Sequence, residues 1–282
     1  MFELLFDSII EKKDGIGMIQ YNGEQIKIGY FPDNTLLLKK NILEEKVEIR
    51  WFFENNEELV ALYFLVQHLR EHGVEEIELN MPYIPNARQD RVKQSDDIFT
   101  LKYFAKLINE MEFSKVIVLD PHSYVSEALI DRLEVQSSQK YVERVLKKLE
   151  IESDEQILLF FPDEGASKRY GSMFERPYIF GMKKREWTTG EIKSLEVLGE
   201  TSRIANSRIL IVDDICSRGG TFLHSAKALK KLGANEIYLY VSHCENTILE
   251  GELLEGDLLK KVYTTNSIFK KEHKKVEVLE YE

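Results

Sequence analysis

From Glu57 onward, short apolar runs rich in β-branched residues alternate with segments whose apolar residues recur at helical spacing. A short apolar run bounded by turn residues reads as a strand buried on both faces, and an amphipathic repeat as a helix laid against it. Their alternation predicts an α/β fold whose central sheets are mostly parallel and flanked by helices. The clearest helix pattern runs from Glu57 to His72, with Leu59, Leu62, Tyr63, Val66 and Leu69 on one face. A strand at Ile77–Met81, a helix over Leu101–Met111 and a strand at Val116–Leu119 are expected after it. Helices around Tyr124–Leu133 and Tyr141–Leu149 follow, then strands at Ile157–Phe161, Ile209–Val212 and Ile237–Val241. Thr221–Leu232 reads as a helix closed by Gly233, since glycine takes the left-handed backbone that ends many helices.

With 282 residues, 43% of them hydrophobic, the chain is long enough for one large domain or two of ordinary size. The polar stretch "VQSSQ" around Ser137 and Ser138 is the expected boundary, giving domains 1–137 and 138–282. A net charge of −11 argues against nucleic acid as the main partner, because such partners select a basic surface. Only Cys216 and Cys244 occur, without a CxxC pair, so neither a disulfide framework nor a zinc site is expected, and a reducing cytoplasm fits. The first residues, "MFELLFDSIIEKKDG", interrupt their apolar run with acids, and no stretch approaches the roughly 18 apolar residues of a membrane span. The expectation is a soluble, cytoplasmic protein without a membrane partner.

The stretch "ILIVDDICSRGGTF", Ile209 to Phe222, carries the most chemistry. Two carboxylates after a buried strand can accept hydrogen bonds from adjacent ribose hydroxyls. The amides of the glycine-containing turn and of the helix that follows form an anion pocket. An ordinary strand–turn–helix connection would explain one aspartate as a helix cap, but not Asp213 and Asp214 together with Gly219, Gly220 and Thr221. The pattern GxxxxGK[ST] is absent, and "DGIGMI" lacks the third glycine of a dinucleotide fingerprint. The residues therefore point to a phosphorylated sugar. Three more stretches fall in polar loops: "NARQDR", a charged loop whose arginines suit a nucleotide; "VLDPHS", a carboxylate and an imidazole at a strand end; and "GMKKREW", a run of cations before "TTGE".

Together these stretches resemble the ribose-phosphate pyrophosphokinase family, with "ILIVDDICSRGGTF" similar to the loop it shares with type I phosphoribosyltransferases. The resemblance implies two phosphoribosyltransferase-like domains and transfer of the β,γ-pyrophosphoryl group of ATP to ribose 5-phosphate. It implies Asp213, Asp214, Ser217, Arg218, Gly219, Gly220 and Thr221 at the sugar phosphate. ATP would be held by Arg88, Gln89, Asp90 and Arg91, and by Phe31 and Asp33 of "YFPDN", which resembles a segment that reaches a neighbouring subunit's site in hexameric members. Magnesium would sit near Asp120, His122 and Asp163, the last in "FFPDEGASKR", which resembles the pyrophosphate loop. Lys183 and Arg185 match the catalytic cations of a mobile loop, with His122 beside them in the catalytic set, and the family association implies a homo-oligomer, dimer or hexamer. Ser217 and Arg218 stand where the family has Asp and Thr, and Thr35 replaces an acid. A phosphoribosyltransferase needs only the sugar-phosphate loop and leaves "NARQDR" and "GMKKR" without a role. A non-catalytic regulatory relative is the other reading, favoured by the changes at Ser217 and Thr35 and opposed by His122, Lys183 and Arg185.

Overall fold

The computed structural model describes residues 19–153, 156–185 and 192–282. Contacts divide the chain into two compact units, Met1–Gln136 and Ser137–Glu282.

In the first unit the strands are β1 (Ile19–Tyr21), β2 (Glu24–Gln25), β3 (Ile28–Tyr30), β4 (Leu36–Leu38), β5 (Lys46–Trp51), β6 (Glu76–Asn80), β7 (Lys115–Leu119) and β8 (Leu133–Gln136). The helices are α1 (Glu57–Glu71), α2 (Thr100–Glu110) and α3 (Val125–Leu129). Six strands make one sheet in the order β2-β1-β5-β6-β7-β8, parallel from β5 to β8 and antiparallel where β1 meets β2 and β5. The third pair, β3 and β4, forms a separate antiparallel hairpin. Alternate residues of β5 point into the core as Val47, Ile49 and Trp51, where they meet Leu62, Val66 and Leu69 of α1. The indole of Trp51 donates to Glu58 at 2.9 Å, and the Glu54 amide donates to the same carboxylate oxygen at 2.9 Å, so this buried acid is satisfied.

The second unit opens with α4 (Gln139–Ser153) and continues through β9 (Leu158–Phe161), α5 (Glu164–Tyr170), β10 (Tyr178–Arg185), β11 (Ile192–Gly199), β12 (Arg208–Cys216), α6 (Gly220–Lys231), β13 (Glu236–Cys244), β14 (Lys261–Thr265) and β15 (Val276–Leu279). Its seven-stranded sheet runs β11-β10-β9-β12-β13-β14-β15 and is parallel except for the β10–β11 pair. Strands β12 and β13 are the longest, at nine residues each, and occupy its middle. No described helix is long and apolar enough to cross a membrane.

Three sequence expectations need correction. The Ile209–Val212 strand extends to Cys216, because β13 continues alongside it and pairs Ile215 with His243 and Cys216 with Cys244. Both aspartates therefore lie on the strand instead of beyond it. The helix expected over Tyr124–Leu133 is the single turn and a half of α3, and Leu133 begins edge strand β8. "GMKKR" is not a loop: Gly181–Arg185 belong to β10, and the Lys183 backbone faces Leu195 of β11. Trp187 and "TTGE" lie outside the described residues.

Candidate functional site

In both units chemistry-bearing residues follow the ends of parallel strands, the edge at which open α/β sheets bind ligands, while Phe31 and Asp33 lie in the β3–β4 hairpin and Lys183 and Arg185 on β10.

In the second unit, β9 ends at Phe161 and Asp163 caps α5, accepting a hydrogen bond from the Ala166 amide at 3.0 Å. Gly165 permits this cap, since a Cβ there would sit 3.2 Å from the accepting oxygen. On the adjacent strand the Asp214 amide donates to Asp213 at 3.0 Å, and Arg169 of α5 approaches the Asp214 carboxylate at 3.5 Å. Loss of hydration raises the Asp213 carboxyl well above its ordinary range, and the charges of Asp214 and Asp163 raise it further. Such a pair is built to exchange hydrogen bonds with a polyol. Sequence reasoning did not single out Arg169; only its place seven residues after Pro162 in the "FFPDEGASKR" stretch offered a signal.

The turn after β12 is held from one side by residues 246–254, which make two short 3-10 turns at Asn246–Glu250 and Glu252–Leu254. Ser217 and Thr247 share a hydroxyl–hydroxyl hydrogen bond of 3.2 Å, and Thr247 also donates to Glu245 at 3.0 Å. Arg218 donates to Glu250 at 2.8 Å, so its guanidinium is engaged by an exposed carboxylate. Gly219 takes the left-handed backbone at φ +80°, and a Cβ on it would meet Leu253 at 2.6 Å. Gly251 passes so close that a Cβ there would lie 2.0 Å from the Arg218 carbonyl oxygen. Gly220 has open space where its Cβ would be, at the first turn of the 12-residue α6. Unpaired first-turn amides and the helix dipole make that end a receptor for an anion. The same unit holds a buried polar set, in which His243 Nδ1 and Ser267 Oγ are 2.8 Å apart and Thr265 donates to the Ser242 carbonyl at 2.7 Å.

In the first unit, the loop after β6 carries Arg88, Gln89, Asp90 and Arg91, and the loop after neighbouring β7 carries Asp120 and His122. Arg88, Gln89, Arg91 and His122 are exposed, whereas Asp120 is buried and sits at φ +40°. Asp90 is buried as well. It accepts from Arg91 Nε at 2.7 Å and Nη2 at 2.8 Å, and from Ser123 Oγ at 2.7 Å. Those bonds hold its carboxyl down at about 2, Arg91 contributing most. Gln89 accepts from Thr100 at 3.0 Å. At the tip of the β3–β4 hairpin Phe31 is half exposed, and Asp33 accepts from the amide and hydroxyl of Thr35 at 3.0 and 2.7 Å. Thr35 therefore closes the turn on Asp33.

Of the expected metal residues, Asp120 and His122 belong to the first unit and Asp163 to the second, and among the described residues no three His, Cys, Asp or Glu side chains form a metal-binding group. Both cysteines are buried free thiols.

Residues 27–111 match the family described as the N-terminal domain of ribose phosphate pyrophosphokinase, and residues 174–280 match the phosphoribosyl transferase domain. A ribose-phosphate pyrophosphokinase of Bacillus caldolyticus is 28% identical over 229 residues, 79% of this chain and 70% of that protein. The Thermococcus kodakarensis enzyme of the same name is 28% identical over 223 residues, covering 78% of this chain and 77% of the relative. The chain belongs to the ribose-phosphate pyrophosphokinase family. Its fold agrees: the phosphoribosylpyrophosphate synthetase of Mycobacterium smegmatis superposes with a TM-score of 0.69 at 18% identity, over 90% of this chain and 85% of that one. Within the family, the N-terminal match contains the Phe31 hairpin and the Arg88–Arg91 loop, and the transferase match contains Lys183, Arg185 and the Asp213–Thr221 stretch.

Proposed function

We propose that the protein is a ribose-phosphate pyrophosphokinase, converting ATP and ribose 5-phosphate to 5-phosphoribosyl 1-pyrophosphate and AMP. The observation that carries this reading is the sugar-phosphate loop of β12 and α6 in the same chain as a domain matched to the pyrophosphokinase N-terminal family. A phosphoribosyltransferase would need the loop alone.

In the reaction the anomeric hydroxyl of ribose 5-phosphate attacks the β-phosphorus of ATP in line. Its O–P bond forms as the α,β bridging bond breaks, AMP leaves, and the hydroxyl proton passes to solvent. Little covalent work falls to the protein, so positioning and charge neutralisation supply the rate. Asp213 and Asp214 receive the ribose hydroxyls, with Arg169 restraining Asp214. Ser217, Gly219, Gly220, Thr221 and the first amides of α6 hold the 5-phosphate. Arg218, tied to Glu250, balances charge at the loop's outer side. Arg88, Gln89 and Arg91 receive ATP with Phe31 against the base, while Lys183 and Arg185 are assigned to charge developing in the transition state. Asp33 contributes through the turn that presents Phe31.

The donor set suits magnesium, which keeps several waters, takes oxygens from the substrate phosphates and needs only one or two protein groups. Asp120 and His122 would hold it on the nucleotide side and Asp163 beside the pyrophosphate loop. When bound, it neutralises phosphate oxygens. We extend the reading to self-association as a dimer or hexamer, supported by the solvent-exposed Val60, Tyr63 and Phe64 on α1 and testable by light scattering.

Protein mixed with Mg2+, ATP and ribose 5-phosphate is expected to form AMP in step with a product that a coupled phosphoribosyltransferase consumes. Absence of AMP across substrate concentrations refutes the assignment. Consumption of 5-phosphoribosyl 1-pyrophosphate with a nucleobase, without ATP, would establish the transferase instead.

A further inference from the structure

The Arg88–Arg91 loop and the Asp120–Ser123 loop leave neighbouring parallel strands and have no covalent reason to keep a fixed spacing. One buried side chain joins them. Asp90 is 7% exposed, and its carboxylate accepts both nitrogens of an Arg91 fork together with the Ser123 hydroxyl. Ser123 in turn accepts from the Val125 amide at 3.2 Å, so the bond reaches into the turn that opens α3. Arg91 itself is 63% exposed along its side chain and directed to solvent, where a lone arginine would sample many rotamers. A bare carboxylate facing a triphosphate would repel it; one buried and compensated by Arg91 and Ser123 does not.

We propose that Asp90 is a positioning residue for nucleotide binding: it touches no substrate, and it fixes the Arg91 fork and the His122–Ser123 turn relative to each other. This rests on the pyrophosphokinase reading, in which both loops face ATP. Asp90 stays ionised through the neutral range, because Arg91 and Ser123 stabilise the charged form, so it acts as a permanent brace and not as a pH switch.

The test uses the full-length chain with Asp90→Asn, Asp90→Ala, Ser123→Ala and the Asp90→Ala/Ser123→Ala double variant. It measures kcat, both KM values, melting temperature and calorimetric binding of a non-hydrolysable ATP analogue. Loss of a charge-assisted bond is expected to raise KM for ATP and weaken analogue binding by about tenfold in Asp90→Ala, and by less in Asp90→Asn, which retains one acceptor. KM for ribose 5-phosphate should stay within about twofold of wild type in every variant. Ser123→Ala should lose about threefold on its own and add nothing to Asp90→Ala, since both remove one brace. The proposal is overturned if folded Asp90→Asn binds the analogue as wild type does, if both KM values rise together with a falling melting temperature, or if the double variant is additive. The binding arm separates this inference from the functional one: absence of turnover in wild type refutes the pyrophosphokinase reading, whereas unchanged analogue binding in the Asp90 variants refutes the brace.

Discussion

Gly251→Ala moves the sugar-phosphate loop without altering any residue of it. Gly251 adopts φ −102°, which alanine tolerates, so backbone strain does not enter. The effect is steric: the new methyl would lie 2.0 Å from the Arg218 carbonyl oxygen and 2.9 Å from its carbon. Ordinary contact begins about 1.4 Å farther out for the oxygen and about 0.5 Å for the carbon, and both partners are backbone with no rotamer to escape into. The turn must therefore shift by roughly 1 Å. Overpacking of this kind costs about 1–3 kcal/mol, and a misplacement of that size costs about 100-fold in a reaction that depends on alignment. Steady-state assays should show KM for ribose 5-phosphate raised about tenfold or more and kcat lowered, with KM for ATP near its wild-type value. Gly73→Ala in the first unit is the control: at φ +82° with open space it costs stability through backbone strain alone and should leave the sugar-phosphate KM unchanged. If folded Gly251→Ala binds ribose 5-phosphate normally, or if both KM values rise together, residues 246–254 do not set the shape of the loop.

Three further outcomes are expected. Asp213 has a raised pKa in the folded state, so its contribution to stability is present below the unfolded value near 3.8 and is lost as pH rises through the folded one. Asp213→Asn should therefore melt higher than wild type at neutral pH by thermal-shift measurement, with the gain shrinking toward pH 4, while turnover falls; a lower melting temperature at every pH contradicts this. Lys183→Ala and Arg185→Ala should each cut kcat by about two to three orders of magnitude with an unchanged circular dichroism spectrum, and near-normal rates would remove both from the transition state. Glu58→Ala strands the Trp51 indole and the Glu54 amide and should cost about 1–3 kcal/mol in urea unfolding, a loss that stays small if water replaces the carboxylate.

The elements that the sequence showed clearly are those whose burial repeats at one period. The α1 and α6 helices and the four-residue apolar run of β12 lie where expected, although Tyr63, expected on the buried face of α1, is exposed. Sequence could not show where β12 stops, since Asp213 to Cys216 remain extended only because β13 supplies a parallel neighbour. Strand β8 reads "LEVQ" with its residues at best half buried, which gives no alternation to detect, and the run of cations ending β10 carries no apolar pattern that would announce a strand. In the site, residue types named the chemistry while contacts named the partners. The acid inside "ARQDR" is buried and accepts from Ser123, a partner 33 residues away that no local pattern announces. Arg218 has a partner, Glu250, that lies 32 residues away and that no local pattern announces.

The clamp on the sugar-phosphate turn has a dynamic consequence. Arg218, Gly219 and residues 246–254 are joined by side-chain bonds and by backbone in van der Waals contact, so the turn cannot open while that segment stays closed. Local opening of the segment and loss of the anion pocket then become one event with one free energy. On the proposed reading ribose 5-phosphate contacts β12, the turn and the start of α6 but not residues 246–254, yet it should slow amide exchange at Ile248, Gly251 and Glu255, whose amides bond Glu245, Ile248 and Glu252. Protection would thus extend to residues the sugar never touches.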